Sequence, residues 1–149
     1  MIGDGWTSRL LTGMAEHLAA AGIAQWRPDG PAYLASETGI LVRAVPPQPD
    51  RVITLAAYPI ATTRRGLADH DTGVQVRLRG DTDPRDCDDL ADAVFEELDG
   101  ATNLTWGGVR VVQIGRASYT SLGQDGNGRW ERSENYYLQT MRPTAHNPD

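Results

Sequence analysis

Lysine is absent from this chain of 149 residues, and all 14 basic positions are arginine. That is read as a compositional bias rather than a binding strategy. Against 20 acids it leaves a net charge of −6, which argues against a dedicated nucleic-acid binder, because such domains usually carry a basic patch. Cys87 is the only cysteine, so no internal disulfide can form. No apolar run is long enough to cross a bilayer, which argues against a membrane partner. The opening Met-Ile-Gly-Asp-Gly-Trp lacks the basic-then-apolar order of a secretory signal. Gly-x-x-x-x-Gly-Lys, Cys-x-x-Cys and His-Glu-x-x-His are all missing, and no serine sits in a Gly-x-Ser-x-Gly elbow. These absences leave no reaction that the residues ask for. The chain is read as no enzyme and as carrying no cofactor.

What the chain does have is concentrated between Gly73 and Met141. Gly73–Gly80 alternates strictly: Val74, Val76 and Leu78 face one way, and Gln75, Arg77 and Arg79 the other, as a half-buried strand requires. A helix follows, with Asp83 as its cap, Pro84 at its first position and Asp86 three residues after the cap. Cys87, Leu90, Ala91, Val94, Phe95 and Leu98 recur at spacings of three and four, a stripe suited to covering a sheet. Its place on that stripe marks Cys87 as a small buried thiol. Gly100 stands where a left-handed residue closes such a helix.

Towards the N-terminus, Trp6, Leu10, Leu11, Met14 and Leu18 predict a helix over about Thr7–Ala21, capped by Asp4 or Thr7 and stopped by Gly22. Residues 27–31 read as a turn, and Tyr33–Thr38 as a short strand or a loop. Ile40–Val45 reads as a strand, ended by Pro46, Pro47 and Pro49. Arg51–Tyr58 is apolar or small on both faces and should lie centrally in a sheet. Pro59 opens a long polar connection to Thr72, a loop length often associated with function. Asn103–Gly108 reads as a turn and Val109–Tyr119 as a strand. Its alternation slips at Val111-Val112, through a bulge or through burial on both faces. Ser121–Gly128 reads as a glycine-rich hairpin connection, followed by a long strand, Arg129–Met141, with Trp130, Tyr136 and Leu138 on one face. The expected fold is α+β: a mostly antiparallel sheet of four to five strands with two α-helices packed on one face. Residues 1–142 form a single domain, and 143–149 a flexible tail.

Three fragments imitate sites. Asp81, Asp83, Asp86 and Asp89 suggest a small metal-dependent enzyme, but acids gather at helix N-termini because the macrodipole is positive there, and nothing completes an oxygen shell. Asp125-Gly126-Asn127-Gly128 resembles part of a calcium loop, yet strands rather than helices flank it, favouring a hairpin turn. Asp69-His70-Asp71 lacks a nucleophile to serve. Arg64-Arg65 and Arg77/Arg79 read first as a solvated loop and the wet face of a strand.

Charge placement is more informative than its total. Between Asp81 and Asp99 nine acids stand against Arg85 alone, while the rest of the chain is slightly basic.

The alternating strand Val-Gln-Val-Arg-Leu-Arg-Gly, the helix Asp-Pro-Arg-Asp-Cys-Asp-Asp-Leu-Ala-Asp-Ala-Val-Phe-Glu-Glu-Leu and the closing Arg-Trp-Glu-Arg-Ser-Glu-Asn-Tyr-Tyr-Leu-Gln-Thr (Arg129–Thr140) resemble those of phage tail terminator and minor capsid proteins. The resemblance runs from about Trp6 to Arg142. It implies a virion structural protein at the tail–neck junction, assembled in the host cytoplasm. Further implications are a homo-oligomeric ring, usually a hexamer, capping the tail tube protein and joining it to the head-completion or connector proteins. DNA would be only passing cargo. Another neck protein, a head-closure or adaptor protein, is the nearest alternative, and a monomeric regulatory module is a third. On the ring reading, the expected subunit or partner contacts are Arg64, Arg65, Asp69, Arg77, Arg79, Gln124, Asp125, Asn127 and Arg129. Asp88, Asp92, Glu96 and Asp99 would form an acidic face towards the lumen or the neighbouring subunit, since an acidic lumen repels phosphates.

Overall fold

The computed structural model describes residues 1–60 and 67–148. Its elements are α1 (Trp6–Ala20), β1 (Thr38–Val42), β2 (Arg51–Pro59), β3 (Asp69–Arg79), α2 (Pro84–Leu98), β4 (Thr102–Trp106), β5 (Val109–Gln124) and β6 (Trp130–Met141). One sheet holds all six strands in the order β1-β2-β3-β6-β5-β4. The fold is α+β, but the four to five antiparallel strands expected become six in a mixed sheet.

Two features account for the difference. β4 was read as a turn, because only Leu104 and Trp106 mark it as apolar. It is a short edge strand paired with the start of β5, and the actual turn is Gly107-Gly108. β1 runs parallel to β2, with Ile40 opposite Ile53. Residues 43–50 must therefore pass back along the sheet before β2 begins, and the prolines there shape this crossing.

α2 forms as its sequence demands. The Asp83 carboxylate accepts from the Arg85 N–H, Pro84 takes the first position, and Gly100 adopts φ +81° just beyond the helix. α1 forms without the expected cap, since Gly5 stands at the N-cap and no side chain satisfies the first turn. Packing holds α1 instead. Leu10, Leu11, Met14, Ala15 and Leu18 are buried, and Gly13 lets the helix meet β4 so closely that an added Cβ would lie 2.3 Å from Trp106 Cβ.

Both helices share one hydrophobic core with one face of the sheet. Ile53, Leu55, Val74, Val76, Leu78, Ile114, Tyr136 and Leu138 meet Cys87, Ala91, Val94 and Leu98 of α2 and the α1 stripe. Each fully buried leucine or isoleucine contributes roughly 1.5–3 kcal/mol. Registers match the alternation read from the sequence: Leu55 faces Val76, and Val74 faces Tyr136. The slip at Val111-Val112 is a register shift against β6, one of three along β5. Asp69–Thr72, read as loop, are the first residues of β3 and pair with β6. Similarly, β5 runs on to Gln124, so the glycine-rich connection shrinks to residues 125–129.

Candidate interaction surface

The sheet face opposite the helices is polar and unevenly covered. At one end, residues 43–50 form a strap across it. Arg79 was expected on a wet strand face but is only 3% exposed beneath the strap. Its Nε donates to the Asp50 carbonyl at 2.8 Å, and its Nη2 to the carbonyls of Pro46 and Pro49 at 2.7 Å each. Burial and the nearby Arg129 hold the Arg79 guanidinium below its ordinary pKa. Arg129 is buried as well. Its Nη1 donates to the Pro47 carbonyl and lies 3.2 Å from Asp50 Oδ1, while its Nε donates to Asp125 Oδ2 at 2.9 Å. Thr54 adds a hydroxyl donation to the Ala44 carbonyl at 2.7 Å.

Away from the strap the same face is a ladder of cross-strand polar pairs. Arg77 meets Glu131 at 2.9 Å, and Gln75 Nε2 donates to Ser133 Oγ at 2.9 Å. The Tyr58 hydroxyl donates to Asn135 Oδ1, whose amide nitrogen in turn donates to Ser118 Oγ. The Tyr58 ring lies across Gly73, where any Cβ would come within 2.4 Å of it, which explains a glycine inside this strand. Beyond the ladder a groove of about 380 Å³ opens among Ile60, Asp71, Gln113, Gly115, Tyr137 and Gln139, with Tyr137 half exposed.

The hairpin tip is built rather than loose. The Asp125 carboxylate accepts from the Asn127 and Arg129 N–H groups and from Arg129 Nε. Partial burial raises its pKa, and these hydrogen bonds outweigh that effect to leave it lowered. The Asp125 carboxylate, the one acid of the fragment that imitates a calcium loop, is thus engaged by the turn itself.

On the helix side, the acids of the Asp81–Asp99 segment are mostly engaged. Asp81 and Asp86 both hold Arg51, at 3.0 and 2.8 Å. Asp88 accepts from Arg132 at 3.1 Å, and Asp99 from the Arg116 N–H at 2.8 Å. Glu97 meets His17 of α1 at 2.8 Å. Asp92 and Glu96 project into solvent. No group of three or more His, Cys, Asp or Glu side chains is gathered as metal ligands among the described residues.

Of the expected contact residues, the structure brings Gln124, Asp125, Asn127 and Arg129 together at one tip, beside Arg79. Asp69 is exposed at the start of β3, at the opposite end of that strand from Arg79. Arg79 and Arg129 are corrected from surface groups to buried clasps of the strap, because carbonyls and carboxylates of the same chain surround them. Arg64 and Arg65 lie outside the described residues. His70 packs edge-on against Trp6 at 5.2 Å; burial and then Arg142 lower its pKa.

The sequence reading missed a buried charge cluster beneath α2. Glu134 is fully buried and lies 3.4 Å from Arg116 Nη1. Arg132 Nε stands 2.7 Å from Glu134 Oε2, with its N–H not aimed at that oxygen. Arg116 lies 4.1 Å over the Phe95 ring, and Arg132 lies 3.7 Å over Tyr119. The signal was available, since Arg132 and Glu134 share strand parity with Trp130, Tyr136 and Leu138.

Residues 17–142 match the family described as bacteriophage tail terminator protein. A chain from the structure described as "Virion of native gene transfer agent (GTA) particle" superposes with a TM-score of 0.59 at 15% identity, covering 89% of this chain and 95% of that one. At that identity the likeness shows a shared fold. A second solved chain, also 15% identical, covers 70% of this chain and 81% of its own at a TM-score of 0.46, too low to carry an argument. No curated protein sequence matches. The family match takes in everything from the last turn of α1 to Arg142, including the strand, acidic helix and closing strand on which the resemblance rested. The chain therefore belongs to the bacteriophage tail terminator protein family and is a structural protein of the phage tail.

Proposed function

We propose that the protein assembles as a ring, of six copies, that caps the tail tube and joins it to the head-completion or connector proteins, with DNA passing through the opening. The family match over residues 17–142 is the observation that carries this reading. Physical features support it. A closed ring needs two unlike surfaces on each subunit, and this chain has an acidic helix on one side of the sheet and a hydrogen-bonded polar face on the other. Where the acids of α2 meet the opening, they repel phosphate and let DNA slide.

In this reading Asp69, Arg77, Gln124 and Asn127 meet the tube or the next ring, together with Arg64 and Arg65. Arg79, Asp125 and Arg129 serve by fixing the strap and hairpin from which that contact is made. Asp88, Asp92, Glu96 and Asp99 face the lumen or the neighbouring subunit.

Electron microscopy of particles made without the protein tests the role. Overlong tails detached from heads are expected of a missing terminator. Finished tails of normal length, unattached, would instead assign the chain to the head side of the neck. Complete infectious particles would overturn both.

A further inference from the structure

Most acids of the Asp81–Asp99 segment are engaged within the chain, so the exceptions along α2 are informative. Along α2 and its flanks, Asp81, Asp83, Asp86 and Asp88 each hold an arginine, Glu97 meets the His17 ring, and Asp99 holds a backbone N–H. Asp89 sits in the field of Arg85. Asp92 and Glu96 have no such partner among the described residues and are exposed. They stand one helical turn apart, so their Cβ atoms are about 5–6 Å from each other on one face.

The cations show the same economy. Most described arginines meet a carboxylate, and Arg79 is held by carbonyls. Arg9 is fixed by the carbonyls of Asp4 and Gly107, and Arg110 by the Asn103 side chain. Two remain. Arg43 makes only a long 3.5 Å hydrogen bond to the Ala57 carbonyl, and Arg142 lies 4.6 Å over the Trp6 ring. Both line one pocket of about 200 Å³, together with Tyr58 and His70, and no acid lies among its described walls. Stacking on Trp6 uses the face of the Arg142 guanidinium and leaves its N–H edge available.

We propose that Asp92 and Glu96 of one subunit dock against the Arg43–Arg142 pocket of the next. Two carboxylates one turn apart present two anions to two guanidinium groups across a small opening, with aromatic walls that limit water and strengthen each charged hydrogen bond. The acids sit midway along α2, whereas the arginines follow β1 and β6, so the two halves belong to different surfaces of the subunit. Each subunit in a ring then uses both halves, one towards each neighbour. The inference rests on the ring reading above and names its contact.

The test is a charge swap in assembled particles. Asp92→Arg with Glu96→Arg, and separately Arg43→Glu with Arg142→Glu, replace the native gene, and joined particles are counted. Each pair is expected to lower the yield about tenfold or more, as loss of close interfacial charge pairs does. The fourfold variant, with acids and arginines exchanged, is expected to restore it, because both partners of a contact between copies change together. Circular dichroism and thermal unfolding of each purified variant verify that it folds. Unchanged yield in either double variant overturns the proposal. So does failure of the folded fourfold variant to recover, which would assign these charges to a different virion protein. The ring reading is judged separately, by native mass of wild-type necks. A two-copy assembly whose charges pass the swap would keep the contact and remove the ring.

Discussion

The Tyr136 hydroxyl donates to Glu134 Oε1 at 3.2 Å, two residues back on the same face of β6, and neither side chain reaches solvent. Burial first, and then the Glu134 charge, push the Tyr136 phenol above its ordinary pKa. Glu134 thus compensates Arg116 and Arg132 in a space otherwise filled by apolar side chains. Replacing Glu134 with Ala leaves Arg116 without its anion and Arg132 with only the exposed Asp88, and is expected to cost roughly 3–5 kcal/mol. Tyr136→Phe removes one hydrogen bond and should cost about 1 kcal/mol. Chemical denaturation of the two variants measures both, and equal losses would contradict this ordering.

Arg79→Met keeps much of the side chain's bulk and removes all three donations to the strap. Hydrogen bonds from a charged donor contribute about 1.5–3 kcal/mol each. The expected result is a loss of stability together with faster backbone hydrogen exchange and easier proteolysis at residues 43–50, while β5 and β6 keep their protection. Arg77→Met, on the same strand but half exposed, should leave the strap unchanged.

Cys87 is 3% exposed, and burial, followed by the charge of Asp88, raises its thiol pKa from 9.0 to about 11. The folded-state value lies above the unfolded one, so the stability this thiol contributes is complete below about pH 9 and is lost as pH rises towards 11. Cys87→Ala should flatten that alkaline limb in denaturation curves recorded from pH 8 to 11. At neutral pH a thiol reagent should label the native protein far more slowly than the unfolded chain.

Gly13→Ala sets two effects against each other. Alanine improves helix propensity by about 0.8–1 kcal/mol. Its methyl group would lie 2.3–2.5 Å from the Cβ, Cα and carbonyl carbon of Trp106. Overpacking of that kind costs typically 1–3 kcal/mol, and here backbone must move. The variant is expected to melt lower than wild type, whereas Gly5→Ala, where a Cβ meets nothing within 4 Å, is free of that clash and loses only the N-cap preference for glycine.

Legibility followed the kind of physics involved. α2 could be placed almost residue by residue, because Asp83, Pro84 and Gly100 act locally and its apolar stripe is continuous. β3 and the inward face of β6 followed from alternation. β4 escaped because Thr102, Asn103 and Thr105 carry no apolar pattern, and it exists through pairing with β5. The parallel pairing of β1 with β2 was equally invisible, since prolines mark where a strand stops but not which way the next one runs. Arg79 shows the same limit. Its parity was right and its exposure wrong, because a segment some thirty residues earlier in the chain closes over it. At the surface, the sequence supplied the acids of α2 as a block. Only the folded arrangement separates Asp92 and Glu96 from those already paired within the chain.

The strap over Arg79 has a consequence for assembly. By roofing one end of the outward sheet, it leaves a neighbour resting on that face only the floor around Gln75, Tyr137 and Gln139. The roofed end acts as a stop against sliding along the strands. Any object seated on this face therefore has its position set before a single contact with it is made.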